Sequence, residues 1–505
     1  MDNFQSLKGN TLASYKPNTN NPITIPIILS EKEMQIFEIL KEIIKENNLN
    51  NIELYAVGGW VRDHLINIPS NDLDIAVKGI GTKSFVKLIN EKINKNNKYI
   101  MVTNKLIKQD GKKINLTKTT ILDIEIDFVE LRVNVIEDAK TRDFTFNALF
   151  YNILQNKIDD PLNMGINDLK NGFIRTCVNP NILLNYDSLN ILRMLRFATK
   201  YQFVIDEQCL DEIVKNKNIY QDNLLNKISK ERINKELNSI FCSMNPSFAI
   251  YSLYKFGLLE YVLHLNKYKN NISWLTEKDI VNCVNIFIIG KICFDKYKIC
   301  FDGEKFDDNY KYSYYSILLT IILRNYTDTN NNCITKIILA KVLKIESKYL
   351  KIVNNYDEFN TFINKNEFSR LSIGILIRKI YFYNISKIIL ISVSNEYINK
   401  NITNQILDKI DDNQLDSIFN KFFEFYKYIK KEKLENVNQL NPILNGKEIK
   451  KYFPGLYDKY IGSMLVTLLN KQIEYNKEFS KNDAINEIKL KIQELKIQLN
   501  NKNEN

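Results

Sequence analysis

The chain has 505 residues, 45% hydrophobic and 26% charged, which is too long for one compact core and predicts two to four domains of ordinary globular composition. Its 15 glycines and 9 prolines are few for that length, so long helices are expected rather than an all-β fold rich in turns. A formal charge of +11, from 70 Lys and Arg against 59 Asp and Glu, favours a polyanionic partner but does not identify one. Two histidines, His64 and His264, argue against a multi-histidine metal site and leave few candidates for a serine–histidine–acid triad. Seven cysteines without a CxxC pair suit a reduced compartment better than a disulfide framework. No apolar stretch approaches the roughly 20 residues of a membrane helix, and the first two dozen residues have neither a hydrophobic signal core nor an Arg-rich transit pattern. A cytoplasmic protein with no membrane partner is expected, with mitochondrial or nuclear location as the alternatives.

Residues 1–24 are polar, Asn-rich and aperiodic, and are expected to be disordered. Ser30 with Glu33 is a capping-box signal, and Ile36, Phe37, Leu40, Ile43 and Ile44 form the apolar stripe of a helix. Leu54–Val57 reads as a strand delivering a tight turn at Gly58-Gly59. Ile75–Val77 and Ile121–Leu131 also read as strands, the second placing Asp123, Glu125 and Asp127 on one face and Ile124, Ile126 and Phe128 on the other. From about Asn185 the chain reads as helix almost throughout: Ile191, Leu195 and Ala198 keep helical spacing, as do Ile233, Leu237 and Ile240. Ile388–Val393 is a buried helical segment, while Asp302–Tyr312 and Thr327–Asn332 are polar interruptions expected to be loops. Ser480 with Asp483 opens a last amphipathic helix through Ile485, Ile488, Ile492, Leu495 and Leu499. The expected architecture is an α/β head followed by a long all-α arm.

The head carries the chemistry. Two adjacent glycines after a strand let backbone N–H groups approach an anion, and Arg62 just beyond them can fork onto phosphate oxygens. Asp72 and Asp74, at i and i+2 of a strand, place two carboxylates side by side, which repel unless a cation lies between them. Hard oxygen ligands select Mg²⁺, which also takes substrate phosphates into its shell. A third carboxylate from the strand face of Asp123, Glu125 and Asp127 is able to complete a two-metal site for nucleotidyl transfer. Trp60 is expected to pack and His64 to be an exposed turn residue.

Together, Gly58-Gly59-Trp60-Val61-Arg62-Asp63 and Asp72-Leu73-Asp74-Ile75-Ala76 resemble the signature of the class II tRNA nucleotidyltransferase and poly(A) polymerase family, which belongs to the polymerase-β-like nucleotidyltransferases. Four later motifs follow in order: Arg142-Asp143-Phe144-Thr145-Phe146-Asn147, Asp159-Asp160-Pro161 through Arg175-Thr176, Asp187 through Ala198, and Lys227 through Ile233. Pro442-Ile443-Leu444-Asn445-Gly446-Lys447 and Pro454-Gly455 are similar to the tail of the longer members. The resemblance implies a disordered lead-in over 1–27, a polymerase-β-like head over 28–180, a helical neck over 181–260, a helical body over 261–430 and a tRNA-binding helical tail over 431–505. It implies Asp72, Asp74 and Asp127 as catalytic carboxylates, with Asp72 and Asp74 as Mg²⁺ ligands. Gly58, Gly59, Arg62, Arg142, Arg193 and Arg196 would contact the nucleotide, and Asp187 with the residue at 190 would read the base on the neck helix.

The activity so implied is template-independent addition of C, C and A to tRNA 3′ ends from CTP and ATP, by a chain expected to be monomeric. Three departures open alternatives. The family's base-reading arginine is replaced by Asn190, a loss of charge-assisted bonds that costs roughly 1–3 kcal/mol of base selection. Thr141 replaces the first arginine of the second motif, and the segment between Arg132 and Arg142 is short where relatives carry a longer loop. The alternatives are a CC-only, A-only or oligo(A)-adding relative, or a catalytically weak RNA-binding one.

Overall fold

The computed structural model describes residues 23–70, 72–95, 116–131, 133–265, 276–322, 342–344, 349–365, 368–401, 403, 405–407, 409–454, 456, 458–475 and 478–503. Of the lead-in expected over 1–27, residues 1–22 lie outside the described residues, as do the loop Thr327–Asn332 and Gly455; residues 23–27 are not loose, since Thr24 N donates to Leu65 O at 3.0 Å and Ile27 is buried. The chain divides into two compact units, Met1–Lys267 and Tyr268–Asn505.

The first unit opens with α1 (Glu31–Glu46), whose Ser30–Glu33 capping box forms as expected and whose Ile36, Phe37, Leu40 and Ile43 are buried. Then come β1 (Glu53–Val57), α2 (Gly59–Leu65), β2 (Asp72–Lys78), α3 (Thr82–Lys95), β3 (Leu116–Ile121), β4 (Ile124–Glu130), α4 (Val135–Lys140), β5 (Phe150–Asn152) and β6 (Lys157–Asp159). These six strands form one sheet in the order β3-β4-β2-β1-β5-β6, in which only β2 and β4 run parallel. α5 (Gly165–Asn171), β7 (Phe173–Ile174), α6 (Pro180–Tyr186), α7 (Asn190–Tyr201), β8 (Val204–Ile205), α8 (Glu207–Lys215), α9 (Lys217–Asn226), α10 (Lys230–Phe241), α11 (Pro246–Lys255) and α12 (Leu259–Val262) complete the unit.

The expected single strand Ile121–Leu131 is two strands of a hairpin. Leu122 (φ 51°) and Asp123 (φ 66°) are both left-handed and form its two-residue turn, a geometry that matches the twist of the flanking strands. Asp123 therefore leaves the face of Glu125 and Asp127; its carboxylate is exposed and meets Lys32 at 3.2 Å. His64 is likewise not an exposed turn residue. It lies in α2, where its Nε2 is 3.0 Å from Glu33 Oε1 and its ring lies against the buried Trp60. Trp60 Nε1 donates to the same Glu33 oxygen at 2.7 Å, so one buried carboxylate ties the start of α1 to the helix that follows the glycine turn.

The second unit is helical wherever it forms regular structure among the described residues: α13 (Glu277–Tyr297), α14 (Asp308–Ile322), α15 (Leu350–Lys365), α16 (Arg370–Ile380), α17 (Ile385–Lys400), α18 (Asp412–Lys431), α19 (Gly446–Tyr452), α20 (Asp458–Tyr475) and α21 (Lys481–Asn503). The polar interruption expected over Asp302–Tyr312 ends early, since α14 begins at Asp308. α17 is buried through Ile388–Val393 and packs on α13 and α18. Gly374 of α16 lets α20 approach so closely that a Cβ there would lie 2.3 Å from Ile473 Cγ2. Ser480 and Asp483 form the expected cap of α21, whose Ala484 and Ile488 join a cluster with Leu444, Ile449, Met464, Leu468 and Phe479. No described helix is long and apolar enough to cross a membrane.

Candidate active site

β1 leads into Gly58, whose φ of +72° turns the chain into α2. A Cβ at Gly58 would stand 3.3 Å from Arg142 Nη1 and 3.8 Å from Asp74 Oδ2, so this glycine admits a guanidinium and a carboxylate to the turn at once.

β2 carries Asp72 and Asp74 on one face, and its parallel register with β4 pairs Asp72 with Glu125 and Asp74 with Asp127. Residues in register on neighbouring strands share a face, so Asp74 and Asp127 stand side by side. Burial, then the charges of Asp127 and Asp72, push the Asp74 carboxyl up to about 6, against the opposite pull of Arg142 and Lys118. Lys118, opposite Asp127 on β3, places its ammonium 2.5 Å from Asp127 Oδ2. Among the described residues, no three His, Cys, Asp or Glu side chains gather as a metal ion's ligands do. The expected convergence is thus one of strand register and charge, with Lys118 as the cation now against Asp127. The donor set fits Mg²⁺: it is all carboxylate oxygen, and it carries a repulsion that a divalent cation relieves.

Each arginine expected at the nucleotide already holds a carboxylate. Arg62 is buried: Nε donates to Asp63 Oδ1 at 2.8 Å and Nη1 to Asn147 Oδ1 at 2.5 Å, and the guanidinium lies over the Phe197 and Tyr201 rings. Its Nη2 would be 3.3 Å from a Cβ at Gly59, so the second glycine makes room for Arg62. Buried in this way, Arg62 braces the turn and is not an open phosphate fork. Arg142 reaches back one helical turn to Asp138 of α4 at 3.0 Å and covers the Phe150 ring. Arg193 Nε donates to Asp143 Oδ2 at 3.0 Å, and Arg196 Nε to Glu236 Oε2 at 2.7 Å. The Asp143 carboxyl is buried, which works to raise it, yet Arg193, Asn147 and the Phe144 N–H hold it below the usual carboxylate range.

Asp187 is not on the neck helix. α6 ends at Tyr186 and α7 begins at Asn190, and Asp187 lies extended between them (φ −148°, ψ 97°). Its Oδ1 accepts from Leu189 N at 3.1 Å, and its Oδ2 accepts from Arg232 Nη2 at 2.6 Å. Asn190 is buried and donates its Nδ2 to the Asp187 main-chain oxygen at 2.9 Å.

Sequence reasoning passed over Lys118, Asp138 and Glu236, and gave no role to Arg232, although it lies within the motif Lys227 through Ile233. Lys118 alternates between Thr117 and Thr119, which places it on the Asp127 side of the hairpin once the turn at Leu122–Asp123 is known. Arg232 and Glu236 stand at i and i+4 of α10, a spacing that puts both on one face toward α7.

Residues 54–175 match the poly A polymerase head domain, and residues 202–267 match the probable RNA and SrmB-binding site of polymerase A. The chain is 26% identical over 497 residues to the mitochondrial CCA tRNA nucleotidyltransferase of Saccharomyces cerevisiae, covering 86% of this chain and 88% of that protein. Its fold is similar to the Thermotoga maritima CCA-adding enzyme complexed with tRNA, with a TM-score of 0.56 at 18% identity over 92% of this chain and 96% of that one. A CCA-adding enzyme structure with CTP gives a TM-score of 0.58 at 18% identity, over 92% and 96% of the two chains.

Proposed function

We propose that this chain, a member of the tRNA nucleotidyltransferase and poly(A) polymerase family, adds C, C and A to tRNA 3′ ends from CTP and ATP without a nucleic-acid template, releasing pyrophosphate. One observation carries the reading: the parallel register that sets Asp74 beside Asp127, under a glycine turn that also admits Arg142. Relatives named for CCA addition along 86% of the chain, and similar structures holding tRNA, CTP and ATP, support the substrates.

Asp72 and Asp74 would hold Mg²⁺, with Asp127 as the third carboxylate; the ion, when bound, supplies activation of the attacking 3′-hydroxyl and neutralises the triphosphate. The backbone at Gly58 and Gly59 presents N–H groups to that triphosphate. Arg142, beside Asp74, takes developing negative charge. Arg193, held by Asp143 beyond α4, and Arg196, held by Glu236 of α10, bring positive charge to the first two turns of α7, beside the residues that would read the base. Arg62 positions the turn through Asp63 and Asn147.

The division into head (28–180), neck (181–260), body (261–430) and tail (431–505) remains our proposal, with the matched segments supporting the head and neck. Lysine-rich helices of the second unit would grip tRNA phosphates with little sequence readout. We place the monomeric protein in the cytoplasm, with a mitochondrial pool as the alternative that the relatives' names favour.

The test is extension of tRNAs ending at the discriminator base, at C and at CC, each with one labelled nucleotide. Full activity predicts C, C and A in turn. Arrest after CC would select the partial-addition alternative, and no incorporation would refute the reading. Asp72→Asn and Asp74→Asn are expected to abolish transfer while tRNA binding persists; wild-type turnover in either would remove the metal assignment.

A further inference from the structure

We propose that Arg232 supplies the guanidinium of the base-reading pair, acting with Asp187 as the residue that determines C and A over U; the inference rests on the transfer reaction proposed above. Four observations lead to it.

The position three residues after Asp187 holds a buried amide, since Asn190 is only 6% exposed and its Nδ2 donates to the Asp187 main-chain oxygen. Two other arginines of the neck are engaged elsewhere, Arg193 on Asp143 and Arg196 on Glu236. Arg232 approaches from the first turn of α10 and donates from Nη2 to Asp187 Oδ2 at 2.6 Å. Its side chain is 40% exposed against 19% for Asp187, so the pair is open at the guanidinium end.

The chemistry needs this composition. Cytosine and adenine each present a ring nitrogen that accepts beside an exocyclic amine that donates; uracil presents a ring N–H beside a carbonyl. A carboxylate can accept from the amine while a guanidinium donates to the ring nitrogen. The same pair meets uracil with two like-poled groups. Asp187 keeps acceptor capacity after its bonds to Leu189 N and Arg232, and a guanidinium has five N–H donors, so both can serve the base without parting. A site built to make such bonds rejects the base that reverses them far more strongly than a shape filter does. Asn190 lacks both the reach and the charge, and Arg232 brings both from the neighbouring helix.

The experiment uses the full chain and single-turnover addition of CTP, ATP or UTP to tRNAs ending at the discriminator base and at CC. Arg232→Ala is expected to lower kcat/KM for CTP and ATP by about 30-fold or more while UTP changes by less than about 3-fold, so that the C:U and A:U ratios fall by about tenfold. Arg232→Lys keeps a charge for Asp187 but loses the fork, and is expected to fold, bind tRNA and remain unselective. Asn190→Arg added to Arg232→Ala restores the pair from the other side and is expected to recover most of the selectivity. Equal slowing of all three nucleotides, or a wild-type C:U ratio in Arg232→Lys, would overturn the assignment and leave Arg232 a structural ion pair. Wild-type protein that transfers no nucleotide would instead overturn the underlying reaction, and Arg232 with it.

Discussion

Two carboxylates, Asp74 partly buried and Glu33 buried, show how single residues are tuned in opposite directions. Asp74 is pushed up to about 6 by burial, then by Asp127 and Asp72. A carboxyl raised in the folded state contributes stability that is complete below its unfolded value and is lost as pH rises through about 6. At pH 8 it is therefore a liability that a bound cation relieves. Asp74→Asn should raise the melting temperature of EDTA-treated protein by a few degrees while abolishing transfer, the expected trade between stability and a strained site. Added Mg²⁺ should stabilise wild type and leave the variant unmoved; a variant that melts earlier than wild type without metal would contradict the repulsion. Glu33 behaves the other way. Burial works to raise it, but hydrogen bonds from His64 and Ser30 win and hold it at about 2, from an ordinary 4.5. Its stabilisation is complete above the unfolded value and disappears as pH falls from about 4.5 to about 2, a contribution of order 3 kcal/mol. Glu33→Gln should flatten that acid limb in a melting series from pH 5 to pH 2, and an unchanged limb would mean the carboxylate is not what pins Trp60 and His64.

At the level of elements, close approach decides more than propensity. α16 and α20 touch because Gly374 has no side chain, and Ile473 fills the space. Gly374→Ala gains helix propensity of about 1 kcal/mol but must displace Ile473, a clash worth about 1–3 kcal/mol, so a net loss of stability in urea unfolding is expected. Gly374→Ala with Ile473→Leu, which has no Cγ2 branch to meet the new Cβ, should recover part of it. The same kind of tertiary detail marks where sequence reasoning stopped. The Ser30–Glu33 box, the α1 stripe, the strand before the glycines and the cap at Ser480 were legible because each is encoded within a few neighbouring residues. The hairpin at Leu122–Asp123 was not, because Leu with φ > 0 runs against its local preference and is held there by the pairing of β3 with β4. Asp187 was expected on the neck helix; its place in the turn before that helix suits the Asp-Ser pair, which favours turns and caps, a local signal outweighed by the expected helix. Its pairing with Arg232, a residue of the motif Lys227 through Ile233, spans 45 residues of sequence and is beyond any local pattern.

For the whole molecule, sequence composition and fold divide the labour differently. The α/β head and the helical remainder were readable from hydrophobic period alone, and the six-stranded sheet supplied what period cannot: which strands are neighbours, and so that Asp74 and Asp127 meet. The net charge of +11 pointed to a polyanion without locating its grip. If lysine-rich helices hold tRNA through phosphates, binding must release counterions and weaken steeply with salt, whereas nucleotide selection by a partly buried, directly bonded pair such as Asp187–Arg232 is screened less. Raising KCl from 50 to 200 mM should therefore lower tRNA affinity by about 100-fold or more for a handful of phosphate contacts. The C:U selectivity measured at saturating tRNA should shift less than about threefold over the same range. Filter binding gives the first quantity and single-turnover addition the second, on the same preparation. A tRNA affinity indifferent to salt would remove the phosphate grip. Selectivity that collapses with salt would place base reading on exposed charges rather than on a partly buried carboxylate–guanidinium pair.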